Sequence, residues 1–463
     1  ELHVKPIQEG DCYRYLGLDE NISYIGPVNK KRISDEYYTR VKKIWSSELS
    51  DYYKVTAHNA FATPVITPTI CVLDWTLQDI RDIDIQTRKI MSMKGSFHPN
   101  GDIDRLYMQR KNGGRGLKLI ETLYESRTVA IRQHLTRNKN RNDLMRYIND
   151  QESNESLRVG IEILAKYQIG DDIDKRPKVL GKKVTTAKQK EHEAKYRDKS
   201  MHSYFYKKLS NEPLIDMKTS NSRPVNKKTS SHFEAYINAI HDQEIPTKFL
   251  INKRERDNNK EITCNNKCRL CKNNVEDVNH IISGCSMMST RYYLPVRHDV
   301  VARTFLNAVL HKNHPDCKHK LSYEPEYVLK IENYEYWWNL SIETGTKLPH
   351  NKPDLIIWDH DKKVCNIIEF SCPSDVNIIS KMNEKTNKYA ALIRNMQIMH
   401  CGYKFTMLPI IIGALGYVPV AIGEYIKLLG FNDMETRKLI RKLQAVSAAG
   451  TAKIAKTFLQ FSK

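Results

Sequence analysis

No secretory leader, internal repeat or low-complexity tract is recognised in the 463 residues. Without a leader, its ten cysteines are expected to be reduced thiols in the nucleus or cytosol, so a cluster among them reads as metal ligands rather than disulfides. The other two absences exclude a solenoid and a compositionally biased tail. A clean membrane span is missing too: the one apolar run of spanning length, Phe405 to Gly423, is broken by Thr406, Pro409, Gly413, Gly416 and Pro419. It reads as a buried strand plus loop, and no membrane partner is expected. Nor is there an acidic excess. Lys and Arg number 74 against 54 Asp and Glu, leaving a formal charge of +20. That balance is the footprint of a nucleic-acid binder, since counterion release rewards scattered cations whatever the base sequence.

Five Trp, eleven Phe and 25 Tyr in a chain 40% hydrophobic are the makings of a packed core, and the length implies two to four domains. The first residue is Glu1 rather than Met, so the chain is expected to be a piece of something longer. Helical spacing dominates the early region, with Tyr38, Val41, Ile44 and Trp45, then Leu117, Ile120 and Leu123. Ala62, Thr63 and Pro64 mark a turn, as do Phe97 to Asn100 and Gly113 to Gly116. The last of these, with Arg115 inside it, lacks the strand and Gly-Lys-Ser/Thr context of a phosphate cradle and reads as a plain loop. From Asp171 to about Arg256 the composition turns basic and polar, with Lys175, Arg176, Lys178, Lys182, Lys183, Lys188 and Lys190 in quick succession. Such a run is either a solvated helix face or an arm that follows a phosphate backbone. Gly170, Asp171 and Asp172 look like the paired aspartates of a polymerase. Those need a hairpin between apolar strands, whereas here a helical pattern precedes and lysines follow, so that reading is set aside.

Cys268, Cys271, His280 and Cys285 stand in the spacing C-x2-C-x8-H-x4-C. Two thiolates two residues apart grip an ion from a tight turn, and a His and a Cys from a short helix close a tetrahedron that suits structural Zn2+. Cys264 offers an alternative first ligand in a C-x6-C frame.

Further on, Asp354 to Trp358 and Val364 to Phe370 read as two strands around a polar turn. If the hairpin folds about Asp361 and Lys362, Asp354 lies opposite Glu369, with Ile356, Trp358 and Ile367 on the same face. Two carboxylates so placed repel unless something compensates, and a divalent cation such as Mg2+, held by hard oxygens, would do so. Lys381, Lys385 and Lys388 then share one face of the next helix, from which a cation can stabilise charge developing on a phosphate.

Pro353-Asp354, Glu369 and a following lysine resemble the PD-(D/E)-x-K nucleases, with Ser371 where that superfamily has its lysine. One branch, the restriction-like endonucleases of non-LTR retrotransposon proteins, moves the lysine into the next helix, and the segment Glu384 to Tyr389 resembles that helix. The resemblance picks Lys385 as the catalytic lysine, with Pro353, Lys388 and Tyr389 as accessory residues. It extends to the knuckle, to Arg297, His298 and Asp299, which adds Arg297 and His298 to the accessory set, and to Cys372 through Asp375. It also covers Tyr15-Leu16-Gly17, Val72 to Trp75 and Phe97 through Leu117, which look like a reverse-transcriptase thumb. The organisation so implied is multidomain α+β: a helical thumb-like region over 1–165, a basic helical linker over 166–260, a zinc knuckle over 261–290, and an α/β restriction-endonuclease-like domain with a mixed sheet over 291–463. The function so implied is a Mg2+-dependent endonuclease of the nucleus, which nicks double-stranded DNA to prime reverse transcription of the element's RNA template. No polymerase activity is expected of this piece. The rival reading is a catalytically silent or domesticated nucleic-acid-binding remnant of such an element.

Overall fold

A computed structural model describes residues 11–15, 17–21, 25–151, 155–171, 176–221, 231–262, 264–316, 325–345 and 347–461. Leu16, Asp172 and Lys175 of the motifs above lie outside the described residues. The chain divides into two compact units, Glu1–Asp198 with Lys227–Ala235, and Lys199–Asn226 with Tyr236–Lys463.

The first unit is helical apart from a short hairpin, β1 (Tyr13–Tyr15) with β2 (Leu18–Glu20). Helix α1 (Gly26–Ser46) buries Ile33, Tyr37, Val41 and Trp45, one residue per turn along a single face. Helix α2 (Leu77–Met93) begins at a capping box in which Thr76 and Asp79 satisfy each other's backbone N–H groups. Helix α3 (Ile120–Asn138) has no cap of its own. Asp84 supplies one from α2, accepting the N–H groups of Ile120 and Glu121 at 3.0 Å each. The turn expected at Ala62 to Pro64 is instead helical: a π-helical turn, His58–Ala62, runs directly into Thr63–Ile66, and Pro64 lies in the first turn of that segment. The Gly113 to Gly116 loop is a loop, with Gly113 and Gly116 at φ +86° and +77°. Arg115 within it points inward and pairs with Asp51, so it is not presented to a phosphate.

The basic run forms helix α5 (Pro177–Asp198), preceded by α4 (Glu155–Lys166). Leu180, Val184, Lys188 and His192 of α5 face inward at four-residue spacing, while Arg176, Lys178, Lys182, Lys183 and Lys190 are exposed. The run is thus a docked helix with an exposed basic face. Asp171 is held by both guanidinium nitrogens of Arg132, at 2.7 and 2.6 Å.

The second unit is built on a five-stranded mixed sheet in the order β3 (Val328–Ile331), β4 (Tyr334–Trp338), β5 (Leu355–Asp359), β6 (Val364–Ser371) and β7 (Lys404–Ile411). The first three pairings are antiparallel and β6–β7 is parallel. A parallel pair needs a crossover, and α7 (Ile378–Lys388) and α8 (Ala390–Met399) provide it. One sheet face packs Leu355, Ile357, Ile368 and Phe370 against α6 (Asp299–Asn313) and α10 (Asp433–Gln460). The other packs Ile356, Trp358, Cys365 and Ile367 against Tyr389, Leu392 and Met396. Burial on both faces explains why β5 is apolar without alternation. The run from Phe405 is strand then loop as expected, except that Ala421 to Gly423 already belong to α9 (Ala421–Leu428). Among the described residues no helix is long and apolar enough to cross a membrane.

Burial pushes the Asp84 carboxyl up to about 7, although the two N–H groups it accepts pull the other way. A carboxyl raised on folding lends stability that is full below its unfolded pKa and is lost as pH rises through the folded value. The contribution of Asp84 to the first unit should therefore fall between about pH 4 and about 7, so the unfolding midpoint of the native chain relative to that of Asp84→Asn should decline across this range. Calorimetry across this range checks it, and an unchanged slope in the variant counts against the assignment.

Candidate active site and metal centre

The four ligands expected of the knuckle are brought together: one donor atom from each of Cys268, Cys271, His280 and Cys285 lies within 4.8 Å of all the others. A tetrahedral Zn2+ with ordinary bond lengths has S···S edges of about 3.8 Å and S···N edges of about 3.6 Å. Cys268 and Cys285 Sγ are 3.9 Å apart, and Cys271 Sγ lies 3.4 Å from His280 Nε2. The donors are soft, four in number and largely buried, which fits a closed structural zinc site. Cys264 stands outside the cluster, its Sγ donating to Asn252 Oδ1 at 3.0 Å. This resolves the choice of first ligand in favour of Cys268.

Local bonding explains why the loop holds this shape. Cys268 N donates to Asn274 O at 2.8 Å, closing the turn, and Lys272 adopts φ +61° inside it. Fully buried Glu276 accepts Arg269 N at 2.8 Å and Nε at 2.9 Å, and also Lys248 N at 3.1 Å. His280 N is capped by Asp277 Oδ1 at 2.7 Å, and Tyr293 Oη receives Cys285 N at 3.1 Å while donating to Ile281 O at 2.8 Å. Glu276 and Tyr293 were not legible as supports of the knuckle, because nothing in their spacing marks them.

The β5–β6 register pairs Leu355 with Ile368 and Asp359 with Val364, which places Asp354 and Glu369 opposite each other one step beyond the ladder. Asp354 N donates to Glu369 Oε2 at 3.3 Å, and Phe370 N to Asp354 Oδ2 at 2.8 Å. Glu369 is 2% exposed. Lys385 and Lys388, both from α7, donate to its Oε1 at 2.5 and 3.0 Å. Lys381, one turn earlier on the same face, instead pairs with Glu384 at the surface. Tyr389 is buried beneath Lys388, whose Nζ lies 4.6 Å from the ring centroid, and its hydroxyl donates to Lys352 O, next to buried Pro353.

His298 completes the arrangement, with Nδ1 2.9 Å from Asp299 and Nε2 3.3 Å from Asp354 Oδ2. Burial works against the imidazolium, yet hydrogen bonds to Asp299 and Asp354 push its pKa up to about 10. Burial likewise raises Asp354, but the His298 bond and charge, the Phe370 N–H and the charge of Lys385 outweigh it and hold the carboxyl below its usual range. Thus the repulsion foreseen between the carboxylates is offset here by two ammonium groups and an imidazolium. Among the described residues Asp354 and Glu369 belong to no three-donor cluster. An ion there would rest on two carboxylates, with waters and phosphate oxygens filling the remaining positions, the usual situation of Mg2+.

Arg297 is not brought to this site. Its guanidinium is buried, donating to Ile282 O at 2.7 Å and Thr451 Oγ1 at 2.9 Å, so it ties the knuckle's last ligand helix to α10. Gly450 makes room for it, since a Cβ there would lie 2.8 Å from Arg297 Cβ. Asp375 is also structural, accepting Leu415 N at 2.8 Å and Tyr417 N at 3.1 Å. Ser374 beside it donates to Asn279 of the knuckle at 2.9 Å. No protein-family model and no curated protein matches the chain.

Elemental analysis of the purified chain should find about one zinc per molecule, as a closed four-ligand site requires. Cys285→Ser should lose most of it, and chelation should lower the unfolding temperature of the second unit because binding energy is folding energy here. Cys264→Ser should retain the metal. Zinc lost with Cys264→Ser but kept with Cys268→Ser would overturn the ligand set.

Proposed function

We propose that the second unit is a divalent-metal-dependent DNA endonuclease, with Asp354 and Glu369 as metal ligands and Lys385 as the catalytic cation. The observation that carries this reading is the convergence on one buried spot of two opposed carboxylates and a lysine from the next helix. Buried Glu369 and partly exposed Asp354 are held among two lysines and a histidine, a concentration of charge that a hydrophobic core does not need and that functional sites commonly show. Mg2+ bound there would polarise a phosphoryl oxygen and lower the pKa of a water. Asp354 and Glu369 would hold the ion where such a water can attack phosphorus, the P–O3′ bond breaking so that the 3′ oxygen leaves as a hydroxyl with a proton from solvent and the phosphate stays on the 5′ end. Lys385, whose Nζ donates to Glu369 Oε1 at 2.5 Å, would neutralise charge that develops on a phosphate bound beside the carboxylates. Lys388 stands by as a second cation, and His298 positions Asp354 through its 3.3 Å contact.

The order Pro353-Asp354, Glu369, Lys385 supports the narrower reading, an endonuclease of a non-LTR retrotransposon protein that nicks chromosomal DNA in the nucleus to prime copying of the element's RNA. The +20 charge supports nucleic acid as the partner.

In a supercoiled-plasmid assay at moderate salt, the native chain should nick with Mg2+ and not with EDTA. Asp354→Ala and Lys385→Ala should each lower the rate by roughly 100-fold or more, the scale set by losing a group that stabilises developing charge. Lys381→Ala, whose side chain is occupied with Glu384 at the surface, should be unaffected. DNA binding without nicking in the native chain would favour the silent remnant instead.

A further inference from the structure

The knuckle and the segment after β6 enclose a groove of about 470 Å³, lined in part by Asn274, Asn279, Ser283, Ser374 and Asn377. No lysine or arginine is among its lining residues. Its single carboxylate, Asp277, is engaged with His280 N. In a chain that carries +20, a groove without cations is poorly made for a phosphate backbone. It offers amides and hydroxyls instead, groups that present both donors and acceptors.

The amides differ in how they are held. Asn279 Oδ1 accepts from Ser374 Oγ at 2.9 Å, which fixes one wall to the other. Asn377 ends the short 3-10 turn Asp375–Asn377 that runs into α7; it is exposed, and its side chain makes no cap bond to the helix. Asn274 projects from the loop between the second cysteine and the histidine, and is exposed. Among the described residues neither the Asn274 nor the Asn377 amide has a hydrogen-bond partner. Two unengaged amides beside a groove without cations fit a base edge better than a phosphate, and the major-groove edge of adenine, acceptor N7 beside donor N6, is the pattern an asparagine amide matches with two bonds.

We propose that this groove reads an adenine in the DNA target, and so sets where the chain cuts; the inference rests on the nuclease reading above. With the duplex lying along α7, the helix sets the distance. Lys385 lies eight residues beyond Asn377 along α7, about 12 Å at 1.5 Å per residue. That span is roughly three to four base steps at 3.4 Å each. The preferred adenine should therefore sit three to four nucleotides from the nick.

The test has two arms. In the first, Asp354→Ala protein, which retains its zinc but does not cut, selects from a random duplex library at about 0.2 M salt, and bound sequences are counted. In the second, nicks made by the native chain in the same library are mapped. Adenine should be enriched on the order of ten-fold at one position, and that position should fall three to four nucleotides from the mapped nick. Adding Asn274→Ala and Asn377→Ala should abolish the enrichment while the protein still holds one zinc. Should that pair lose its metal, Asn377→Ala alone, which lies outside the knuckle, is to be used and should reduce the enrichment. No enrichment by the parent protein, or enrichment that survives the substitutions, overturns the groove assignment. A native chain that does not nick while groove-dependent selection persists would sink the nuclease reading and leave the groove as a base-reading site.

Discussion

The pairing of β5 with β6 is the constraint on which the rest of the second unit depends. In that register Asp354 and Glu369 face each other on the side of the sheet that carries Ile356, Trp358 and Ile367. A slip by one residue would turn every side chain to the opposite face, and both faces are packed, so the register is fixed by burial from either side. The same burial makes the carboxylate pair expensive. It persists because cations reach it from outside the hairpin: Lys385 and Lys388 from α7, His298 from the segment that follows the knuckle. Electrostatic need therefore adds to the hydrophobic core in tying α7 and the segment before α6 to the hairpin.

The knuckle joins the sheet through the same logic of satisfied polar groups. Arg297 bridges Ile282 to Thr451, Tyr293 links Cys285 to Ile281, and Ser374 donates to Asn279. His298 follows Arg297 directly, so whatever orders the knuckle also orders the imidazole that meets Asp354. The zinc site and the carboxylate site are thus mechanically connected over a few residues, and stability lent by the metal bears on the geometry of the candidate active site.

Much of this site could be read from the residues because its constraints are local. Hairpin counting places Asp354 against Glu369, and cysteine spacing picks out the four ligands. A helical face lines up the lysines, though only geometry separates Lys381, paired at the surface, from Lys385 and Lys388. What remained hidden depends on partners far apart in sequence. The burial of Arg297 against Gly450 and Thr451 turns a residue that looked like part of the site into an anchor. Glu276 braces the knuckle through Arg269 and Lys248, which spacing alone does not reveal. In the first unit the helix around Pro64 overrode a turn signal, since proline marks a helix start as readily as a turn. The capping of α3 by Asp84 joins residues too distant for any local pattern to couple.

The central claim is that Asp354 and Glu369 hold a divalent ion. The most direct measurement is the electron paramagnetic resonance of Mn2+ titrated into zinc-loaded protein, compared with Glu369→Gln. The account predicts about one Mn2+ bound by the native chain, displaced by excess Mg2+, and little or none in the variant. Equal binding by both proteins, or none by the native chain at millimolar Mn2+, would contradict it.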